Sequence, residues 1–218
     1  DSITQIALGA ACGDTALGRR IGAKAAIWGG ILGTLPDLDT FYPFADPVAA
    51  FTLHRGYSHS YIVLALCAPV IATLAHRLHR NSDATWREWC FLALLCLLTH
   101  PLLDSFTVYG TQVGLPLSDH PVGWSTIFII DPLFTLPLIG GLWLSLRGRR
   151  DARPLVNRRS PSFLGLLMAG GYLALTVAAK VTMHENAERA LIAEGVEADR
   201  ILVTPAPFNI AWWRIVAM

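Results

Sequence analysis

The sequence predicts an all-α polytopic membrane protein, a helical bundle with four transmembrane helices and a short N-terminal helical pair. Of the 218 residues, 53% are hydrophobic and only 15% are charged, and the mean hydropathy is +0.46. Soluble domains carry roughly a quarter charged residues, whereas long uncharged runs are typical of membrane spans. Several such runs occur here, and short basic loops separate them. We therefore expect one membrane-embedded domain over residues 1–181 and an amphipathic, interface-associated tail over 182–218.

The N-terminal pair is predicted from two short segments rich in small residues. Residues 3–18 contain Gly9 and Gly13 four positions apart, a spacing that lets two membrane helices approach closely. Residues 24–35 form a second apolar helix that ends at Pro36. Crossing the hydrocarbon takes about 20 residues, so both segments are short for a span. We expect them to form a re-entrant hairpin packed against longer helices.

Four longer apolar segments follow, and they predict the spans 59–79, 86–104, 125–146 and 161–179. Ser58 stands where an N-cap of the first span is expected. An aromatic- and proline-rich loop over 40–57 precedes that span. The tail is predicted to contain an amphipathic segment over 183–194 and a strand near 200–204, followed by the pair Trp212–Trp213. Tryptophan pairs of this kind fit an anchor at the membrane interface.

The distribution of lysine and arginine predicts the orientation of a multi-pass chain. Basic residues in short loops mark the cytoplasmic side. They fall in three loops, and a chain that crosses the membrane alternately has these three loops on the same side. The basic residues are Arg19, Arg20 and Lys24 in the first loop, Arg77, Arg80 and Arg87 in the second, and Arg147, Arg149, Arg150, Arg153, Arg158 and Arg159 in the third. The connections over 37–59, 100–104 and 119–131 are then predicted on the non-cytoplasmic side.

The net charge of +1 argues against a nucleic-acid partner, because such proteins usually carry a strong basic field. Membrane lipids are the partners that the composition predicts. Four cysteines lie inside apolar segments without a CxxC pair, which is typical of small buried hydrophobes rather than of a zinc or disulfide framework. The oligomeric state does not follow from the sequence.

Potential metal ligands lie at the edges of the apolar segments, where charged and imidazole groups are costly and usually mark a site. These ligands are Asp37, Asp39, His54, His59, His100 and Asp104. His100 and Asp104 are four residues apart and share one helix face. Each pair also has a structural interpretation alone, as a helix-end cap, an acidic turn or ordinary histidines. Their common predicted side of the membrane favours one metal site.

Histidine and carboxylate ligands together fit Zn²⁺, with Mn²⁺ or Fe²⁺ as alternatives, better than Ca²⁺. Such an ion lowers the pKa of a coordinated water, so hydrolysis would need no protein nucleophile. Arg55 stands between His54 and His59, and its planar guanidinium suits phosphate oxygens. We therefore predict a hydrolase that cleaves a phosphoester, with Arg55 as the catalytic residue that holds the anionic substrate. A phospholipid is the candidate substrate because the site should open at the membrane surface.

A second group of polar residues is predicted on the same side: Asp119, His120, Asp131, His184 and Glu188. Asp131 precedes Pro132, so a role at a helix kink explains it equally well. His184 and Glu188 repeat the four-residue spacing of His100 and Asp104.

Several motifs resemble those of the YdjM-like, LexA-regulated, membrane-bound metal-dependent hydrolases. The matching segments are Asp1-Ser2-Ile3-Thr4-Gln5, Gly33-Thr34-Leu35-Pro36-Asp37-Leu38-Asp39, His54-Arg55-Gly56-Tyr57-Ser58-His59-Ser60 and His100-Pro101-Leu102-Leu103-Asp104. The resemblance implies a protein of the bacterial inner membrane with a hydrolase activity. The chain is also distantly similar to the zinc phospholipase C and P1 nuclease group, which implies a zinc cluster that cleaves phosphodiesters.

Two positions depart from the family pattern. Ser58 stands where threonine is common, and Gln5 stands where many relatives carry a histidine. The alternative function is therefore a metal-binding membrane protein without catalysis, in which the ion serves transport or structure. Gln5 would favour a structural role, whereas ligands gathered at one side of the membrane favour surface chemistry over transport.

Overall fold

The computed structural model describes residues 1–46, 53–150, 160–208 and 211–218, and it is mostly helical. The helices are α1 Ser2–Ile21, α2 Ala23–Thr34, α3 Tyr61–Leu78, α4 Trp86–Ser105, α5 Pro132–Arg150 and α6 Pro161–Ala193. Two strands follow, β1 Ile201–Pro205 and β2 Trp213–Ala217. Short 3-10 helices at Leu35–Phe41 and Tyr57–His59 carry the chain out of α2 and into α3.

Helices α1 and α2 form the predicted hairpin of small residues. Gly22, with a φ of 63°, lies between them and adopts a left-handed conformation that glycine tolerates without strain. Gly9 lies directly against Gly29, where an added Cβ would come within 2.2 Å of the Gly29 carbonyl oxygen. Gly13 packs equally closely on Ala25. The helix backbones are therefore in contact, as the spacing of Gly9 and Gly13 predicts.

Three of the described helices are long and apolar enough to cross a membrane, namely α3, α4 and α6. Within the most apolar 18-residue stretch of each helix, 22% of the residues are buried in α3 and in α6, and 56% are buried in α4. On α3, Leu66, Val70 and Leu74 are more than half exposed and lie four residues apart on one face. Helix α4 therefore lies towards the middle of the bundle, and the outer faces of α3 and α6 suit contact with lipid.

The segment 125–146, predicted as a span, begins its helix only at Pro132 and is not among these three candidates. Asp131 explains the late start, because its Oδ1 accepts a hydrogen bond from the Leu133 amide at 2.9 Å and thereby caps α5. Arginines at the end of α5 and the internal Pro137 lower its mean hydropathy. Four spans are therefore not established by the described helices.

Other boundaries also differ from the prediction. The N-cap of α3 is Ser60 and not Ser58, because the Ser60 hydroxyl accepts from the Val63 amide. Helix α6 extends over 33 residues, so the amphipathic piece predicted at 183–194 is its continuation. The predicted domain boundary after residue 181 falls inside α6 and stays a prediction. Part of the predicted basic loop, including Arg153, Arg158 and Arg159, lies outside the described residues, as does 47–52 of the predicted 40–57 loop.

The strand predicted near 200–204 is confirmed as β1, which pairs antiparallel with β2 from Ile201 opposite Ala217 to Pro205 opposite Trp213. The Lys180 ammonium donates to the Val203 carbonyl oxygen and ties the hairpin to α6. Trp213 thus belongs to a strand, and its role at a membrane interface stays a prediction.

A buried carboxylate in the second half of α1 holds three helices together. Asp14 is 1% exposed and accepts hydrogen bonds from Ser145 of α5 and Ser162 of α6, both at 2.7 Å. Arg149 of α5 completes the ion pair. A buried charge with this many partners is compensated, so the group holds α5 and α6 against α1.

Candidate metal centre

Four polar side chains converge at one end of the helices, although they are far apart in the sequence. Asp37 lies in the 3-10 helix after α2, and His59 ends the 3-10 helix before α3. His100 and Asp104 occupy consecutive turns near the end of α4. One ligand atom of each lies within 4.8 Å of the other three. His59, His100 and Asp104 are buried, and Asp37 is partly exposed.

The distances among these atoms fit a small ion. His59 Nε2 lies 3.1 Å from His100 Nε2, 3.3 Å from Asp104 Oδ2 and 3.5 Å from Asp37 Oδ1. His100 Nε2 lies 3.3 Å from Asp37 Oδ1 and 3.7 Å from Asp104 Oδ2. Tetrahedral zinc with bonds of about 2.0–2.1 Å has ligands about 3.3–3.4 Å apart. Five of the six ligand-to-ligand distances are therefore close to the edge length of a zinc tetrahedron, and the sixth, between Asp37 and Asp104, lies within 4.8 Å.

The His100 ring is held in the orientation that a metal ligand needs. Its Nδ1 lies 2.6 Å from the carbonyl oxygen of Gly33. Because a carbonyl only accepts, Nδ1 carries the hydrogen and donates it. Nε2 then presents its lone pair to the centre of the group, which is the usual arrangement for a metal-bound histidine.

The His59 ring is oriented by Ser58 and Asp39. The Ser58 hydroxyl donates to Asp39 Oδ2 at 2.5 Å and lies 2.8 Å from His59 Nδ1. A hydroxyl that donates to the carboxylate accepts from Nδ1–H, which again directs Nε2 inward. Asp39 Oδ1 also lies 2.7 Å from His54 Nδ1. Asp39 and His54 therefore lie beside the group of four, and Asp39 acts on His59 through Ser58.

Asp104 has different partners on its two oxygens. Gln5 donates from Nε2 to Asp104 Oδ1 at 3.1 Å and to the His100 carbonyl oxygen at 3.2 Å. Oδ2 is buried without a hydrogen-bond partner among the described residues, although Arg55 Nε lies 3.3 Å away as an ion pair. A buried polar atom without a hydrogen bond is costly. A cation within the group would compensate Oδ2, and this observation supports the metal assignment.

Arg55 lies behind the group rather than in open solvent. Its side chain is mostly buried, with Nη1 donating to Thr107 Oγ1 at 3.0 Å and the guanidinium 5.1 Å from the centre of the Tyr109 ring. The Arg55 backbone has a φ of 69°, a left-handed conformation that is unusual for this residue and is often found at functional sites. Its role in holding substrate stays a prediction.

The electrostatics of the group couple its charges. Burial alone would raise the pKa of Asp37, but the imidazoles of His100 and His59, 3.3 and 3.5 Å from its Oδ1, hold that pKa well below its ordinary value. Burial alone would lower the pKa of His59, but the carboxylates of Asp104 and Asp37, 3.3 and 3.5 Å from its Nε2, raise it above its ordinary value. Ion binding at His59 Nε2 therefore competes with a proton, as expected for histidine ligands.

The residues of the second predicted group do not join these four. Asp119 and His120 are exposed in the loop between α4 and α5. Asp131 is buried and accepts from the Tyr172 hydroxyl at 2.7 Å, besides capping α5. His184 and Glu188 pair at 3.4 Å on an exposed part of α6. Metal roles for these residues stay predictions.

Gln5 and Ser58 are functional candidates that the sequence reasoning did not assign to the site. By sequence, Gln5 is a departure from a histidine and Ser58 is a predicted helix cap. The structure places both in contact with ligand side chains. The available signal for Gln5 was a lone amide in a helix of small apolar residues.

Replacing Ser58 by alanine is expected to lower metal affinity by about 10–100-fold, the usual cost of losing a partner that orients a ligand. Without the hydroxyl, His59 Nδ1 loses its hydrogen-bond acceptor. Competition against a chromophoric zinc chelator measures the change. Ser58→Thr keeps the hydroxyl and should bind as the parent protein does. Equal affinities of the alanine and threonine variants would refute the orienting role.

Comparisons with known proteins agree with this description. The family model for the YdjM inner membrane protein matches residues 1–185. The uncharacterized protein YfhP of Bacillus subtilis (strain 168) is 24% identical over 183 residues, which cover 83% of this chain and 51% of YfhP. The inner membrane protein YbcI of Escherichia coli (strain K12) is 33% identical over 105 residues, which cover 47% of this chain and 59% of YbcI.

The chain thus spans about half of the length of the curated relatives it matches. No solved structure matches the chain, so the distant similarity to the zinc phospholipase C and P1 nuclease group stays a prediction.

Proposed function

Because the chain belongs to the YdjM inner membrane protein family, we propose that it is a membrane-bound, metal-dependent hydrolase of phosphoesters. The single observation that supports this most is the group of Asp37, His59, His100 and Asp104, whose ligand atoms lie within 4.8 Å of one another. A divalent ion held there, Zn²⁺ by preference, would supply a Lewis acid and lower the pKa of a coordinated water.

Groups of the protein would have three roles in this reaction. Asp39 and Ser58 hold the His59 ring, and Gly33 holds the His100 ring. Arg55 supplies a permanent positive charge beside Asp104, and a guanidinium suits the oxygens of a phosphoester. The oxygen of water would form a bond to phosphorus, the P–O bond to the leaving alcohol would break, and a proton from the water would pass to the alcohol oxygen.

We also propose that the chain crosses the inner membrane four times, through α3, α4, α5 and α6, with the metal centre on the non-cytoplasmic side. The ligands lie after α2, before α3 and at the end of α4, all at one end of the helices. The basic residues Arg20, Lys24 and Arg80 line one cavity at the opposite end of α2 and α3. Their clustering in short connections supports a cytoplasmic position for that end.

The enzyme activity is tested on purified protein loaded with Zn²⁺, Mn²⁺ or Fe²⁺ and offered a panel of phosphodiesters that includes phospholipids. We expect turnover of at least one ester and its loss in His100→Ala. His184→Ala is the matched control, because it removes a partly exposed histidine that also has a carboxylate four residues ahead. If the parent protein hydrolyses no ester of the panel faster than His100→Ala does, the hydrolase proposal is refuted.

One observation favours the alternative, an ion without catalysis. Four protein ligands complete a tetrahedral zinc site, which is typical of structural zinc, whereas catalytic zinc keeps one position open. Only Asp37 of the four is partly exposed, so a catalytic ion would have to admit water beside Asp37. Bound metal that stabilises the fold without any turnover is the result expected for the structural role.

A further inference from the structure

A cavity of about 550 Å³ lies between the loop after α4 and the β-hairpin. Its lining is mostly apolar and includes Val108, Tyr109, Phe128, Leu202, Pro207 and Val216. Cavities of roughly 300–1,000 Å³ with apolar walls and few polar groups are typical of sites for small ligands. None of the proposed metal ligands lines this cavity.

The cavity lies next to the metal centre. Residues 127–129 form part of its wall, and the same residues line a small hollow that reaches Asp104, Gln5 and Thr107. Tyr109 provides a second link, because its ring lines the cavity and carries the Arg55 guanidinium at 5.1 Å. Arg55 in turn pairs with Asp104. A ligand in the cavity would therefore lie close to the Arg55 guanidinium, which pairs with a residue of the proposed metal centre.

The β-hairpin presents one face to the cavity. Leu202 and Thr204 of β1 line it together with Arg214 and Val216 of β2, as the alternation of side chains along a strand predicts. Val203 points to the other face and is fully buried. Arg214 is exposed and adds a cation among otherwise apolar walls. Apolar walls with a cation suit an amphiphile with an anionic headgroup.

We propose that this cavity binds an acyl chain of a membrane phospholipid whose phosphate lies towards Arg55 and the metal centre. The apolar lining accepts the hydrocarbon, and Arg55 and Arg214 complement the phosphate charge. The chain is a membrane protein, so phospholipid is always available to it. This inference rests on the proposed function, since it names the substrate class of the same site.

The experiment uses protein reconstituted in vesicles of phosphatidylethanolamine and phosphatidylglycerol with a trace of phospholipid bearing a diazirine in one acyl chain. After photolysis, mass spectrometry maps the labelled peptides. We expect labels in 127–129, 202–207 and 214–216, besides the outer faces of α3 and α6. Ala206→Trp, which places an indole ring in part of the cavity, should remove most of the labels from these three segments. Ala217→Trp is the matched control, because Ala217 is exposed and does not line the cavity.

Metal content and hydrolysis of a water-soluble phosphodiester are measured on the same samples. Loss of cavity labels in Ala206→Trp with parental metal content supports the inference. Labels confined to the outer faces of α3 and α6 in the parent protein would overturn it. Labelling unaffected by Ala206→Trp, together with a cross-linked dimer of Ala206→Cys, would assign the cavity to a second copy of the chain and also overturn it.

The two proposals fail separately. Cavity labels in a protein that turns over no phosphoester would refute the hydrolase and leave the lipid site standing. Hydrolysis of the soluble phosphodiester without cavity labels would refute the lipid site and leave the hydrolase standing.

Discussion

Replacing His100 by alanine is expected to abolish stoichiometric metal binding. The substitution removes one of four ligand atoms and frees the Gly33 carbonyl that holds the ring. The loss of affinity should exceed the ~10–100-fold cost of removing a partner outside the ligand group. Elemental analysis of purified protein, after dialysis against zinc, measures the change.

Two further variants keep this prediction falsifiable. Asp104→Asn preserves the size of the side chain and its contact with Gln5, so it should fold and still lose the ion. His184→Ala leaves the group of four intact and should keep the parental metal content. Helix content by circular dichroism and elution volume in detergent verify folding. Parental metal content in well-folded His100→Ala and Asp104→Asn would show that these residues do not share an ion.

Replacing Gly9 by leucine is expected to break the contact between α1 and α2. Even the first added carbon would lie 2.2 Å from the Gly29 carbonyl oxygen and 3.0 Å from the Gly33 Cα. Backbone atoms of a helix cannot yield as a flexible side chain does, so the two helices must separate. The cost should reach or exceed the ~1–3 kcal/mol of ordinary overpacking. Thermal unfolding in detergent, followed by circular dichroism, measures the loss of stability.

This separation should also weaken metal binding, because α2 positions two parts of the centre. The Gly33 carbonyl accepts from His100, and Asp37 follows α2 within the next 3-10 helix. Gly170→Leu is the matched control, since an added Cβ at Gly170 meets nothing within 4 Å. Equal unfolding temperatures of the two leucine variants would contradict the close contact of α1 with α2.

Local patterns predicted much of this protein because they depend on neighbouring residues alone. The four-residue spacing of His100 and Asp104 places both on one helix face at any position in a fold. The spacing of Gly9 and Gly13 likewise predicted a close helix contact, which is confirmed. Charge and hydropathy predicted a membrane protein, in agreement with the family match.

Boundaries were predicted less well, since tertiary contacts shift them. Ser58 was predicted to cap α3, but its hydroxyl is engaged by Asp39 and His59, and Ser60 caps the helix. Asp131 delays α5 to Pro132 because its carboxylate also accepts from Tyr172 of α6. Neither contact is visible from spacing.

The sequence by itself determined the ligand types and the helix face shared by His100 and Asp104, whereas the side of the membrane on which they lie stays a prediction. Only the tertiary structure decided which residues form the group of four. It brings Asp37 and His59 to His100 and Asp104, and it places Asp39 and Gln5 behind them. The reason is physical: spacing along one helix follows from backbone geometry, whereas meeting across 67 residues depends on how α2 packs against α4.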